Sequence, residues 1–459
     1  MSSRGALATW RSRVFVVSLL AMTLVSLQVH AKNLIPALEK TPVAAAHPPK
    51  VPVTQLPSQL KIYTYENHEL PLFEARVYVP VGSAYENSKK AGVSELTAEM
   101  LASGGTTEHA PEELDVLLDE KSIHLEADAG RELTWVTVRS LKENWKEALA
   151  LLWQVVQSPR FDPKRFQNTQ NRWLDSLKRQ EDLPASVAAR EIVWALYGHD
   201  SPWSNIATLK TAKKLRREDV IAWHEKYFQI QRMTLVAAGD FSTQALKQIT
   251  QKWTHDRQPK EVIQPVWSTI PFDQKAKTIK IKRPINQSVI QAGQMAIARN
   301  DPDRFVYELL QHIVGGTVFL SRLGVDVRVQ RGLAYGIGSS WEENPVRGTM
   351  RIYAQTKKEQ TDLVIERIRT ILSNLATHPD ITAKELDEAK KSFVYQYVFW
   401  FESPFEIPFQ KAKLDLLGYP KNYLDTFVAK IKSVTLAQVN AAAQKYLKPD
   451  QLKFVIVGP

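Results

Sequence analysis

Cysteine is absent from the 459 residues. Its absence removes disulfides, thiolate nucleophiles and sulfur ligands for zinc, and it suits an oxidising compartment where a stray thiol is a liability. Beyond the N-terminus no apolar run approaches the roughly 20 residues a membrane-spanning helix needs. Paired histidines are also lacking: none of the ten has another three or four positions away, which excludes an ordinary helical zinc motif. Ser103-Gly104-Gly105 and Gly315-Gly316 stand outside any strand–Gly-x-Gly–helix context, so neither reads as a phosphate-binding loop.

What is present begins with an export signal. Arg4, Arg11 and Arg13 precede an apolar run from Val14 to Val29, and Val29-His30-Ala31 offers small residues for cleavage. Residues 1–31 are read as a signal peptide, with an uncleaved anchor as the alternative, and the exported chain is expected in the periplasm. Residues 32–58, rich in Pro, Ala and Val without a helical or strand period, read as a disordered tether. With 44% apolar and 24% charged residues the remainder has the composition of a globular protein, and its length suggests two domains rather than one. The formal charge is +11, but lysine and arginine are interspersed with acids along the chain. That points to a solvated surface and away from nucleic acid.

An internal repeat divides the chain. Residues 219–241 (DVIAWHEKYFQIQRMTLVAAGDF) and 438–459 (QVNAAAQKYLKPDQLKFVIVGP) both carry an amphipathic helix ending in Lys-Tyr, a spacer, and an apolar strand closing on glycine. Residues 256–285, with Pro259, Pro265, Pro271 and Pro284, form the expected connection, which sets domains at 59–264 and 265–459. Within the first half Ala75–Val81 alternates as an edge strand would, Ser94–Leu101 has helical spacing, Leu133–Val138 is strand-like and Trp145–Val156 is an amphipathic helix. The fold class expected is α+β, two related domains each with a mostly antiparallel sheet packed against helices.

The stretch from Gly92 to Thr106 (GVSELTAEMLASGGT) resembles the signature helix of the pitrilysin, insulinase and mitochondrial-processing-peptidase family of zinc metallopeptidases, where H-x-x-E-H precedes Met-Leu and Gly-Thr. Residues 79–86 (VPVGSAYE) and 158–163 (SPRFDP) flank it as in that family. The resemblance places the two zinc-binding histidines on Glu95 and Glu99 and the general-base glutamate on Ala98. Catalytic zinc needs three protein ligands and an open position for water, and alanine takes no proton from that water. The third ligand falls on Ser176, or on Asp175 after a shift of one, in the helix expected over Phe166–Arg179. A site of Glu95, Glu99 and Asp175 would suit calcium or magnesium better than zinc. The alternative is two glutamates one turn apart on a solvated or partner-facing surface.

Residues 321–335 (SRLGVDVRVQRGLAY) are similar to the family's second signature, in which an arginine and a tyrosine seven positions apart hold the substrate beside the metal. Here they are Arg328 and Tyr335. Ser321 is placed to cap a helix running to Arg331 and ending at Gly332, followed by a strand over Ala334–Trp341. A phenol and a guanidinium aimed at one peptide carbonyl stabilise an oxyanion and grip backbone; by spacing alone, Arg328 would equally suit an ordinary ion pair and Tyr335 a satisfied core hydroxyl. The resemblance implies a subunit that binds no cofactor and pairs with a zinc-bearing homologue around an unfolded peptide, with Arg328 and Tyr335 acting in trans. It also places peptide capture by strand addition at Ser122–Asp128, with His124 and Glu126 toward the chamber, where the alternation by itself equally suits an ordinary half-buried strand. The rival reading is a peptide-binding or scaffold subunit without a peptidase role.

Overall fold

Two glycine-terminated apolar runs, Thr234–Gly239 and Lys453–Gly458, become interior strands of two sheets. Their apolar residues run almost without alternation because both faces are covered, as a buried strand requires. A computed structural model describes residues 48–255, 267–401, 403 and 405–459. Of these, Pro48–Pro459 makes up one compact unit.

The first sheet contains β1 (Val53–Gln55), β2 (Lys61–Glu66), β3 (Leu72–Val79), β4 (His124–Ala129), β5 (Thr134–Leu141) and β6 (Thr234–Gly239) in the order β1-β2-β6-β3-β5-β4. The second contains β7 (Lys277–Lys282), β8 (Gln287–Met295), β9 (Ala334–Glu342), β10 (Thr349–Lys357) and β11 (Lys453–Gly458) in the order β7-β11-β8-β10-β9. Apart from β1 the wiring is the same. β6 lies parallel to β2 and antiparallel to β3, and β11 lies parallel to β7 and antiparallel to β8. The repeated sequence ending is thus a repeated helix–strand pair: Arg217–Tyr227 leads to β6, and Leu436–Tyr446 leads to β11. The fold is α+β, with two related halves.

Each half lends the other a helix. Helix Pro184–Tyr197, from the first half, packs on β8 and β11, where Val187, Ala188, Ile192 and Leu196 meet Val289, Val455 and Val457. Helix Glu406–Leu416, from the second half, packs on β2 and β6, where Phe409 and Ala412 meet Tyr63, Val236 and Ala238. The other face of β6, through Leu235 and Ala237, joins the main core beneath helices Val93–Ser103 and Trp145–Gln157. A buried charged seam adds to this exchange. Arg299, its side chain 3% exposed, bonds Glu132 in the β4–β5 turn with both terminal nitrogens, and Arg131 of the same turn reaches Glu342.

Several expectations change. β3 is an interior strand between β6 and β5, not an edge: the alternation of Ala75, Val77 and Val79 against Arg76 and Tyr78 reflects two differently covered faces. Order begins before Leu60, since β1 pairs with β2 inside the stretch read as a tether. The export signal, most of the tether and the division near Pro265 lie outside the described residues. No helix among the described residues is long and apolar enough to cross a membrane.

Candidate functional site

Helix Val93–Ser103 starts from a left-handed glycine. Gly92 has φ 101°, and a β-carbon there would lie 2.5 Å from the Trp173 ring, so both backbone and space demand glycine. Glu86, buried beneath the helix start, accepts from Gly92 N, Ser94 N and Ser94 Oγ at 2.9, 2.8 and 2.6 Å. Burial pushes its carboxyl up to about 7, against the pull of those donors. Leu96, Met100 and Leu101 anchor the helix in the main core, with Ala98 buried among them.

Glu95 and Glu99 stand one turn apart, and their environments differ. Glu99 is exposed, and no hydrogen bond or ion pair holds its carboxylate among the described residues. Glu95 is half-buried and accepts a 2.8 Å hydrogen bond from Trp173 Nε1. Burial raises its pKa, the Trp173 bond opposes this, and the charges of Glu99 and Asp128 add to the rise. Of the two glutamates, Glu99 thus lies open on the surface, whereas Glu95 is covered by the indole of helix Pro163–Asp182. That helix is longer than the expected Phe166–Arg179. On it Ser176 is half-buried and offers no carboxylate, while exposed Asp175 is engaged by Lys178 Nζ at 2.8 Å, which lowers its pKa. The side chains present do not fit zinc. Among the described residues no group of three His, Asp or Glu side chains is set to hold a metal ion.

β4 borders helix Val93–Ser103 and, among the described residues, is an edge of the first sheet, paired with β5. Leu125 and Ala127 turn to the core, which leaves His124, Glu126 and Asp128 on the opposite face. His124 is exposed and lies 3.5 Å from Glu126, which also pairs with Arg139 at 3.0 Å. The open backbone of β4 has the chemistry for strand addition.

The second signature has a winding that its sequence did not reveal. Ser321 does cap, its Oγ accepting from Gly324 N at 3.2 Å, but Gly324–Gln330 is wound as a π-helix rather than an α-helix. Gly324 is required by close approach: a β-carbon there would lie 2.1 Å from the Val318 carbonyl oxygen. Gly332, at φ 60°, ends the turn, and β9 begins at Ala334 as, among the described residues, an edge of the second sheet. Tyr335, 51% exposed, is its second residue. Arg328 is exposed and lies over the Phe319 ring at 5.7 Å. Neither side chain has a hydrogen bond or an ion pair among the described residues, so neither is the ordinary ion pair or satisfied core hydroxyl that spacing alone would suggest. No bond joins either of them to Glu95 or Glu99.

Trp173 and Glu86 were not singled out from sequence. Trp173 lies three residues before Ser176 on the same helix, a spacing that puts both on one face. Glu86 precedes a glycine-led helix by a few residues, the signal of a remote cap.

Residues 61–205 match the insulinase family, peptidase family M16, and residues 214–393 match the peptidase M16 inactive domain. A Helicobacter pylori protein described as "Non-peptidase homolog YmxG" is 25% identical over 399 residues, covering 86% of this chain and 90% of its own. A Bacillus subtilis protein described as "Uncharacterized zinc protease YmxG" is 24% identical, covering 82% and 90%. Among solved structures, a peptidase M16 inactive domain from Pseudomonas fluorescens superimposes with a TM-score of 0.80 at 26% identity, covering 90% of this chain and 98% of its own. The periplasmic protease PqqL of Escherichia coli shares the fold, with a TM-score of 0.74 at 14% identity over 91% of this chain and 47% of its own. The broken zinc helix, the twice-built sheet and these likenesses agree: the chain belongs to peptidase family M16, as a homologue of its inactive, non-peptidase members.

Proposed function

We propose that this chain is the zinc-less subunit of a periplasmic metallopeptidase complex, in which a zinc-bearing homologue supplies the metal and this chain supplies Arg328 and Tyr335. The observation that carries the reading is the exposure of both side chains, with no hydrogen bond or ion pair of their own among the described residues, at the start of an edge strand. An exposed guanidinium and phenol held by no hydrogen bond or ion pair among the described residues are available to an outside group. Tyr335 would donate to the oxyanion that forms when the partner's water attacks a peptide carbonyl, and Arg328 would hold the neighbouring backbone. This chain cannot activate that water itself, since Ala98 stands where a base is needed.

The substrate is an unfolded peptide, added as a strand along β4 with His124 and Glu126 beside it. The division between the halves is placed near Pro265, and export rests on the signal at 1–31. The test is cleavage of a quenched-fluorescent unstructured peptide by this protein alone, by a zinc-bearing homologue alone and by the two mixed, with metal content read in parallel. Activity confined to the mixture, with zinc only in the partner, is expected. No gain on mixing would favour a scaffold or peptide-binding subunit instead.

A further inference from the structure

Lysines that look dispersed in the sequence converge in space. The turn Ser88–Lys90, just ahead of Gly92, lies beside the short helix Leu209–Ala212 and the turn that follows it. Lys89, Lys90, Lys210 and Lys214 line one hollow of about 630 Å³ with Ser88, Thr211 and Leu215, and exposed Lys213 sits on the same turn. Lys90 is paired, with Asp219 at 2.5 Å. Lys89, Lys210, Lys213 and Lys214 have no ion pair among the described residues.

The chemistry of the hollow selects among anions. A discrete small ion needs buried donors left open for it, yet Thr208 and Thr211 satisfy each other in a capping box and Asn87 accepts from Lys89 N. No aromatic ring lines the hollow, so nothing offers the stacking platform that single-stranded nucleic acid uses. Nor do the cations present the fork that grips a carboxylate: they are lysines, flexible point charges on apolar stems. Many weak, mobile charges over an apolar floor suit a dense and fluid array of phosphates.

We propose that Lys89, Lys90, Lys210, Lys213 and Lys214 form a docking surface for an anionic phospholipid membrane. It shares no residue with Arg328, Tyr335 or β4, so its failure and that of the peptidase-subunit reading are distinguishable.

The test is co-sedimentation of the full chain with vesicles of phosphatidylglycerol and phosphatidylcholine, against phosphatidylcholine alone. The combined variant Lys89→Gln, Lys210→Gln and Lys214→Gln is compared with a control on the edge strand β7, Lys277→Gln, Lys280→Gln and Lys282→Gln. Each lysine near such a surface is worth about a fivefold change in binding, so the first variant should bind anionic vesicles roughly 100-fold more weakly, with an unchanged far-ultraviolet spectrum. The control should bind as the parent does, and 0.5 M salt should abolish the difference. Equal binding to neutral vesicles, an unaffected first variant, or an equal loss in the control would overturn the proposal. So would tighter binding of a single-stranded oligonucleotide at the same salt.

Discussion

Trp173 donates its indole N–H to the carboxylate of Glu95 at 2.8 Å, across 78 positions of chain. The bond joins the helix that carries the degenerate motif to the helix where the family's third zinc ligand would stand. It gives a half-buried carboxylate a hydrogen-bond donor. Trp173→Phe removes the donor and trims the ring that packs against Gly92, and should cost at least about 1–3 kcal/mol in denaturant unfolding. An unchanged midpoint would show that Glu95 does not depend on the indole.

Restoring the motif should not restore the metal site. The combined variant Glu95→His, Ala98→Glu and Glu99→His regains two imidazoles and a base, but Ser176 offers no third ligand and Asp175 is held by Lys178. Purified variant should carry far less than one zinc per chain by elemental analysis and show no peptidase activity alone. Stoichiometric zinc with robust turnover would refute the account.

Arg328 and Tyr335 are exposed, so changing them should leave this subunit folded. In the mixed complex Arg328→Ala or Tyr335→Phe should lower kcat/KM roughly 100-fold, about 3 kcal/mol of transition-state stabilisation for one lost donor. The melting temperature of the isolated subunit should stay within about 1 °C of the parent, because surface substitutions are small in effect. Unchanged turnover in both variants would remove these residues from the reaction.

The Arg299–Glu132 pair should be a point of fragility. Arg299 is almost fully buried and also donates to the Leu417 carbonyl at 3.0 Å, so Glu132→Ala leaves a buried guanidinium with Glu343, 3.9 Å away and shared with Arg304, as its remaining counter-charge. Removing one partner of a buried pair costs about 3–5 kcal/mol, against about 1 kcal/mol for a surface pair such as Lys391–Asp387. Chemical denaturation of Glu132→Ala and Asp387→Ala side by side should show that contrast.

Two buried groups should tilt the pH profile in opposite directions. His224, packed between Phe161 and Phe228, is driven below the ordinary histidine value of 6.5 chiefly by burial, with its bond to the Val156 carbonyl opposing. The folded state prefers the neutral ring, so this contribution is present above pH 6.5 and is lost as pH falls below it. Glu86 runs the other way. Its folded value of about 7 exceeds the ordinary 4.5, so its contribution is present below pH 4.5 and lost as pH rises through about 7. Across pH 5–7, melting temperature should therefore climb less steeply with pH in His224→Asn, and more steeply in Glu86→Gln, than in the parent. A steeper slope in His224→Asn would contradict the first assignment, and a shallower one in Glu86→Gln the second.

The repeated helix–strand ending, the α+β class and the loss of the zinc motif were all legible in the sequence. Each rests on local information: an apolar run closing on glycine, a helical period, and residue identities at fixed spacing. The cap by Ser321 and the stop at Gly332 were equally local and hold. The winding between them was not legible, because the π-turn depends on how Gly324 lies against the Val318 carbonyl, a contact between two backbone segments.

Tertiary structure alone decided the remainder. Alternation in β3 shows that its two faces differ, but it does not say that a helix from the other half covers the second face; an interior strand was therefore read as an edge. The glutamates at 95 and 99 are the same residue type one turn apart, and only the approach of Trp173 separates a held carboxylate from a free one. Lysines spaced more than 100 positions apart become one charged surface when the chain folds. Sequence by itself determined what each residue is able to do, through its chemistry and its local period. Which residues meet, and so which of those abilities are used, was set by packing between segments far apart in the chain.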